Sequence, residues 1–248
     1  MMMQTSPAIT TKCVDCAIRH RAVCSRCGGD ELARLEEIKY YRRYNSGETI
    51  TIAGETMDFV GSIISGVATL TQTMEDGRTQ MVGLLLPSDF VGRPGRSCAV
   101  YDVVAVSDVV MCCFRRIPFE NLLGATPAVA GRLLEMTLDE LDSAREWMLV
   151  LGRKTAREKI ASLLVIIARR AGSPCTESSP GNIWFNLPLT REAMSDYLGL
   201  TLETVSRQVS ALRRDGVIRL EGNRHVVIPD MRRLMEEAGD DADGGLPG

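Results

Sequence analysis

Leu189–Leu220 reads LTREAMSDYLGLTLETVSRQVSALRRDGVIRL, and its punctuation decides the C-terminal fold. Thr190 is placed to cap a short helix ending at Leu198, and Gly199 supplies the turn. Thr201 is placed to cap a second helix, with Gly216 at its C′ position. Ala193, Leu198, Val205, Val209 and Leu212 are spaced to pack the two helices on each other. Val217–Leu220, Gly222-Asn223 and His225–Ile228 then predict a small hairpin. Cap, turn, cap and wing together predict a winged helix-turn-helix from about Ile183 to Pro229. A plain exposed helix pair would not require all four signals.

In that geometry the start of the second helix enters the major groove of DNA. Glu203, Ser206 and Arg207 stand at i, i+3 and i+4 and share a face. Arg207 can pair bidentately with guanine, and Glu203 can accept from cytosine N4. Thr201, at the helix start, joins this DNA-binding set. Arg191, Arg213 and Arg214 are placed to contact phosphate, which positions without specifying.

At the other end, Lys12–Cys27 reads KCVDCAIRHRAVCSRC, spacing Cys13, Cys16, Cys24 and Cys27 as C-x2-C-x7-C-x2-C. Thiolates suit a structural zinc, although the intervening loop is shorter than a usual zinc-finger loop. They equally suit an iron–sulfur cluster. A frayed terminus with free thiols is disfavoured by the tight clustering. Cys112-Cys113 ends a predicted strand, and neighbours on a strand face opposite ways, so only one easily faces a given site. A ligand from there would tie the N-terminal loop to the strand region. Cys98 and Cys175 read as plain small residues.

Between these motifs, Tyr40 to about Phe119 alternates in short Val-, Ile- and Thr-rich runs broken by glycines. That pattern predicts an antiparallel barrel or jelly roll, with a hairpin turn at Asp76-Gly77. Asp30–Ile38 predicts a helix capped by Asp30. Ala128–Leu151 predicts a long helix with Leu134, Leu138, Leu141 and Met148 on one seam, Ala144 beside it and Arg145 interrupting it. The seam could pack on its own barrel; its length and charged flanks favour pairing with a second copy. Another helix spans Arg153–Arg170, a polar loop follows, and residues 1–11 and the tail EEAGDDADGGLPG read as disordered.

The 248 residues are 45% hydrophobic and 25% charged, ordinary for a globular chain. A net charge of −3 does not announce a nucleic-acid binder, so the local basic positions carry that argument. No apolar run is long enough to span a bilayer, and the start lacks a secretory pattern. The expectation is a cytoplasmic protein with no membrane partner, in which eight cysteines serve metal or redox chemistry rather than disulfides.

Taken together, CVDCAIRHRAVC, SGVATLTQTMEDGRTQMVGLLLPSDFVGRPG, EMTLDELDSAREWMLVLGRKTAREKIASLL and LTLETVSR resemble the CRP/FNR regulators, and within them the FNR-type oxygen sensors. The resemblance runs from Cys13 to Pro229, and Glu203, Ser206 and Arg207 match the E-x-x-S-R recognition signature. It implies an α+β fold: a cyclic-nucleotide-binding-like β-barrel (jelly roll), a long dimerisation helix and a C-terminal winged helix-turn-helix. The expected divisions are residues 1–30 (cysteine-rich), 31–124 (β-roll), 125–172 (helices), 173–236 (DNA-binding) and 237–248 (tail). It also implies a [4Fe–4S] cluster on Cys13, Cys16, Cys24 and Cys112, with Cys27 and Cys113 as spare thiols. The implied partners are double-stranded DNA bearing a TTGAT-N4-ATCAA-like palindrome, a second copy of the chain, and RNA polymerase.

Two rivals are weaker. The cyclic-nucleotide branch carries a Gly-Glu-Leu pocket, whereas Val91-Gly92-Arg93-Pro94-Gly95-Arg96 has no Glu after the glycine, so no cyclic nucleotide is expected. A jelly-roll metalloenzyme needs clustered barrel histidines, and His20 and His225 both lie outside the barrel. The chain is therefore expected not to be an enzyme.

Overall fold

The computed structural model describes residues 12–174, 182–222 and 224–239. Residues 1–11, 175–181 with Cys175, Asn223 and the tail from 240 lie outside the described residues. A 3-10 turn at Cys13–Asp15 opens the chain, followed by α1 (Gly29–Ile38). Strands β1 (Lys39–Tyr44), β2 (Thr49–Thr51), β3 (Phe59–Ser65), β4 (Ala68–Thr73), β5 (Thr79–Leu85), β6 (Phe90–Val91), β7 (Asp102–Ala105) and β8 (Val109–Arg115) come next. Then come α2 (Arg116–Ala125), α3 (Pro127–Arg153), α4 (Ala156–Ala171), β9 (Ser173–Pro174) and β10 (Ile183–Asn186). The chain closes with α5 (Arg191–Leu198), α6 (Leu202–Arg214), β11 (Arg219–Glu221), β12 (His225–Ile228) and α7 (Met231–Glu237). Among the described residues, no helix is long and apolar enough to cross a membrane.

The described chain divides into two units. The first holds the residues up to Ala68 together with Pro87–Met136. Its main sheet has the order β1-β8-β3-β6, with β8 antiparallel to both neighbours. Gly61 on β3 is needed there, because a Cβ would meet the Cys112 carbonyl oxygen at 2.5 Å. β2 pairs with β7 in the same unit. The core gathers Val60, Phe114, Phe119, Leu122 and Val129 with Leu32 and Leu35 of α1. Phe119 stacks on Phe114 with ring centroids 5.1 Å apart and tilts against Phe90 at 5.7 Å.

The second unit holds Thr69–Leu86 and the residues from Thr137 onward. β4 and β5 meet at a turn where Gly77 adopts φ +84°, and the Met74 N–H donates to the Arg78 carbonyl. That is the hairpin expected at Asp76-Gly77. Helix α4 buries Ile160, Leu163, Leu164 and Ile167, and packs against α6 and α7. Trp147 of α3 stacks on Tyr197 of α5 at 4.6 Å.

Several local readings change. Gly28, not Asp30, caps α1: its N–H donates to the Glu31 carboxylate at 2.9 Å, and Asp30 falls in the first turn. The strand pattern stops at Arg115 rather than Phe119, because Pro118 is tolerated in a first helical turn and α2 begins at Arg116. The wing sheet is larger than a hairpin, with order β11-β12-β10-β9. The expected tail is helical at its start: Asp230 caps α7 by accepting from the N–H groups of Arg232 and Arg233, and Ala238 is buried.

Helix α7 is tied back by Arg157, which donates twice to Glu237, at 2.6 and 2.9 Å, and meets Asp215 at 2.8 Å. The Arg157 hydrogen bonds hold the Glu237 carboxyl below the usual glutamate range. Its stabilising effect is therefore full above the ordinary glutamate pKa and is lost as pH falls through the lowered value of the folded chain. Glu237→Gln should lower the melting temperature at pH 7 by about 2–4 °C, the size of about 1 kcal/mol in a chain this long. The gap from wild type should close below about pH 4, which thermal denaturation across pH measures directly.

Candidate nucleic-acid interface and cysteine site

Helices α5 and α6 form as their caps require. The Thr190 hydroxyl accepts from the Ala193 N–H at 3.1 Å, and the Thr201 hydroxyl accepts from the Thr204 N–H at 3.2 Å. Gly199 takes the left-handed conformation, φ +61°, that turns the chain between them, and Gly216 follows α6 at φ +71°. Leu198, Val205, Val209 and Leu212 are buried between the helices, as the spacing predicts. Ala193 is only half-buried, and the core position beside it belongs to Met194. Tyr197 is also buried; its spacing fits the apolar face, but its partner Trp147 lies 50 residues away and no local signal points to it.

The burial of one face of α6 leaves the other open. Glu203, Ser206, Arg207, Arg213 and Arg214 are all exposed, as is Thr201 at the helix start. Arg214 leans toward Asp215 at 3.6 Å. Arg191 differs: it is half-buried and points a guanidinium nitrogen at the Met194 sulfur, 3.4 Å away. An exposed helix face with a carboxylate, a hydroxyl and a guanidinium in register can read base edges, and the flanking arginines can hold phosphates.

The cysteine loop lies in the first unit. Cys13 and Cys27 are buried, Cys16 and Cys24 half-buried. Cys13 and Cys27 belong to the apolar core group that includes Val23, Leu32, Leu35 and Val129, with Cys24 and Cys112 packed against it. Arg19 clasps the loop: its guanidinium donates to the carbonyls of Cys24 at 2.6 Å and Cys27 at 2.8 Å. This clasp, which spacing alone did not reveal, closes the seven-residue span between Cys16 and Cys24.

Strand β8 separates the two adjacent thiols. Cys112 pairs with Tyr41, and Cys113 with Tyr40, so they face opposite sides of the sheet. Cys13, Cys16 and Cys24 all act electrostatically on Cys112, whereas Cys113 is fully buried on the side of Arg42. Burial raises the Cys112 and Cys13 thiols, and pushes Cys24 up to about 11. Cys113 is pushed up to about 12 for the same reason. The Lys39 ammonium lies 3.3 Å from Cys13 Sγ and 3.1 Å from Glu36. Burial works against its charge, yet hydrogen bonds to Glu36, Tyr41 and Cys13 hold its pKa above the ordinary lysine range. Among the described residues, no three His, Cys, Asp or Glu side chains are grouped to hold a metal ion.

On the long helix the predicted seam is open. Leu134, Leu138, Leu141, Ala144 and Met148 are exposed, Leu134 at 61% and Met148 at 73%. Arg145 turns aside to Asp142 at 3.1 Å.

Comparison with known proteins decides the family. Residues 158–237 match the Crp-like helix-turn-helix domain and residues 41–126 the cyclic nucleotide-binding domain. The chain is 68% identical, over the full length of both, to the transcriptional activator protein FnrL of Cereibacter sphaeroides. This chain belongs to the CRP/FNR family of transcriptional regulators. It is also 36% identical to the nitrogen fixation regulation protein FixK of Bradyrhizobium diazoefficiens, over 83% of this chain and 85% of that one. The solved structure of FixK2 from Bradyrhizobium japonicum superposes with a TM-score of 0.71 at 32% identity, covering 83% of this chain and 98% of that one. The fold expected from sequence, an N-terminal antiparallel β-structure, long helices and a C-terminal helix-turn-helix, is the fold of this family. The chain is a DNA-binding regulator and not an enzyme.

Removing the α6 cap should be felt locally. Thr201→Ala should destabilise the helix-turn-helix by about 1 kcal/mol while leaving cysteine alkylation in the loop unchanged; chemical denaturation and thiol labelling read the two effects.

Proposed function

We propose that this chain is an oxygen-responsive transcriptional activator of anaerobic and microaerobic gene expression. In this reading it binds a TTGAT-N4-ATCAA-like palindrome as a homodimer while a [4Fe–4S] cluster is held by Cys13, Cys16, Cys24 and Cys112. The observation that carries the reading is the side of β8 on which Cys112 lies, with the three N-terminal cysteines. The donor chemistry fits such a group. Buried thiols are costly to ionise without an opposing positive charge, and iron would supply it. When bound, the cluster supplies the oxygen-labile element of the switch.

The chain's own residues do the rest. Arg19 holds the loop that presents Cys24, and Lys39 sets a positive charge against Cys13. Leu134, Leu138, Leu141, Ala144 and Met148 would pair with the same seam on a second copy. The dimer would set two α6 helices in successive major grooves, with half-sites roughly 10 bp apart. Glu203, Ser206 and Arg207 would read bases, with Thr201, Arg191, Arg213 and Arg214 toward the backbone. The residue divisions expected from sequence give each part its role: 1–30 and 31–124 sense, 125–172 pair, 173–236 bind DNA. RNA polymerase is the partner an activator requires. No cyclic nucleotide is invoked, since no carboxylate follows Gly92.

Protein purified without air should be brown and contain iron and acid-labile sulfide, and air should bleach it. Cys112→Ser should lose the iron while Cys113→Ser keeps it; the reverse pattern would move the ligand to Cys113. Colourless protein with stoichiometric zinc would leave the DNA-binding reading intact and remove the cluster. Arg207→Ala should lose about 1–3 kcal/mol of discrimination at one base pair of each half-site, measured by anaerobic binding to matched and substituted operators, with iron content unchanged.

A further inference from the structure

Two polar contacts, joined through an Arg132–Glu135 pair on the helix itself, fasten the cysteine loop to the start of α3, all within the first unit. The Arg132 guanidinium donates to the Arg21 carbonyl at 2.8 Å and to Glu135 at 3.3 Å. The other oxygen of Glu135 meets Arg26 at 2.6 Å. Arg21 and Arg26 bracket Cys24 in the sequence. Alongside, Val23 and Cys27 share an apolar group with Val129, Leu133 and Met136 of α3.

These contacts are unequal. Arg26 is mostly exposed, and exposed ion pairs stabilise little. The Arg132 side chain is 19% exposed, and it spans loop and helix at once. A charged donor on a carbonyl, partly shielded from water, is among the stronger hydrogen bonds. Leu134, an exposed residue of the seam, lies between Arg132 and Glu135 in sequence. Residues 132–135 therefore face the loop through their polar side chains and offer the seam through Leu134.

We propose that Arg132 is a positioning residue that relays the state of the cysteine loop to the first turns of α3. While the loop is held in shape, the Arg21 carbonyl and Arg26 fix Arg132 and Glu135, and the backbone bearing Leu134 is fixed with them. When the loop loosens, both partners leave, and this stretch of α3 loses its anchor. Coupling of this kind needs an element that both sites bias, and residues 127–136 are that element. The inference rests on the cluster reading above for what holds the loop.

The test uses full-length Arg132→Gln and Glu135→Gln proteins purified without air. Iron and sulfide are counted, self-association is measured by sedimentation before and after air, and hydrogen exchange is followed across residues 127–136. Arg132→Gln should keep wild-type iron and sulfide. The air-induced change in its dimer dissociation constant should shrink by about fivefold or more, and exchange at 127–136 should rise to the level of air-treated wild type. Glu135→Gln, which spares the Arg21 contact, should show a smaller change of the same sign. An Arg132→Gln protein with the wild-type response to air would overturn the proposal. So would one that loses its iron and whose dimerisation simply follows iron content, since Arg132 would then build the loop rather than relay it. Equal association of wild type before and after air would overturn it as well. Wild type without iron or sulfide would sink the cluster reading alone; the relay would then stand if Arg132→Gln raises exchange at 127–136, and fall if it does not.

Discussion

Strand β8 is hydrogen-bonded along both edges, to β1 and to β3, and this double pairing fixes where each of its side chains points. A one-residue slip would exchange Cys112 and Cys113 between the faces of the sheet. The slip is opposed by Gly61, which lets the Cys112 carbonyl approach, and by the core position of Phe114. The whole arrangement of the cysteine site follows from that register. Cys112 faces the loop carrying Cys13, Cys16 and Cys24, while Cys113 is sealed on the side of Arg42.

The loop itself is too short to build a core and borrows one. Val23, Cys13 and Cys27 join the apolar group formed by α1, β8, α2 and the start of α3, and Arg19 closes the loop on its own carbonyls. A segment held this way depends on contacts outside itself, since few contacts within it would survive alone. The loop lies directly against the start of α3.

The long helix shows the opposite economy. Leu134, Leu138, Leu141 and Met148 stay largely exposed along it, although taking such a side chain from water to full burial is worth about 1.5–3 kcal/mol. Four such side chains in one register leave an apolar stripe along the helix. The helix-turn-helix likewise keeps its apolar residues inside and leaves a polar, partly basic face on α6, although the chain as a whole carries a net charge of −3. Local placement of arginines, rather than overall charge, makes that face suitable for DNA.

Much of this was legible in the chain because it is written in short-range rules. Thr190, Gly199, Thr201 and Gly216 punctuate the two DNA-binding helices through caps and left-handed turns that involve only near neighbours. The seam on α3 follows from helical periodicity, and the hairpin at Gly77 from the backbone freedom of glycine. The start of α2, the strand at Ile183–Asn186 and helix α7 were not legible, because each depends on packing partners distant in sequence. The Glu237–Arg157 pair spans 80 residues and the Arg132–Arg21 contact 111, beyond any local pattern. The sequence by itself thus determined the helices and turns that short-range rules fix, and the spacing of the cysteines. Only the tertiary structure decided which thiol faces which, and what the loop leans on, because those outcomes are set by strand register and long-range burial.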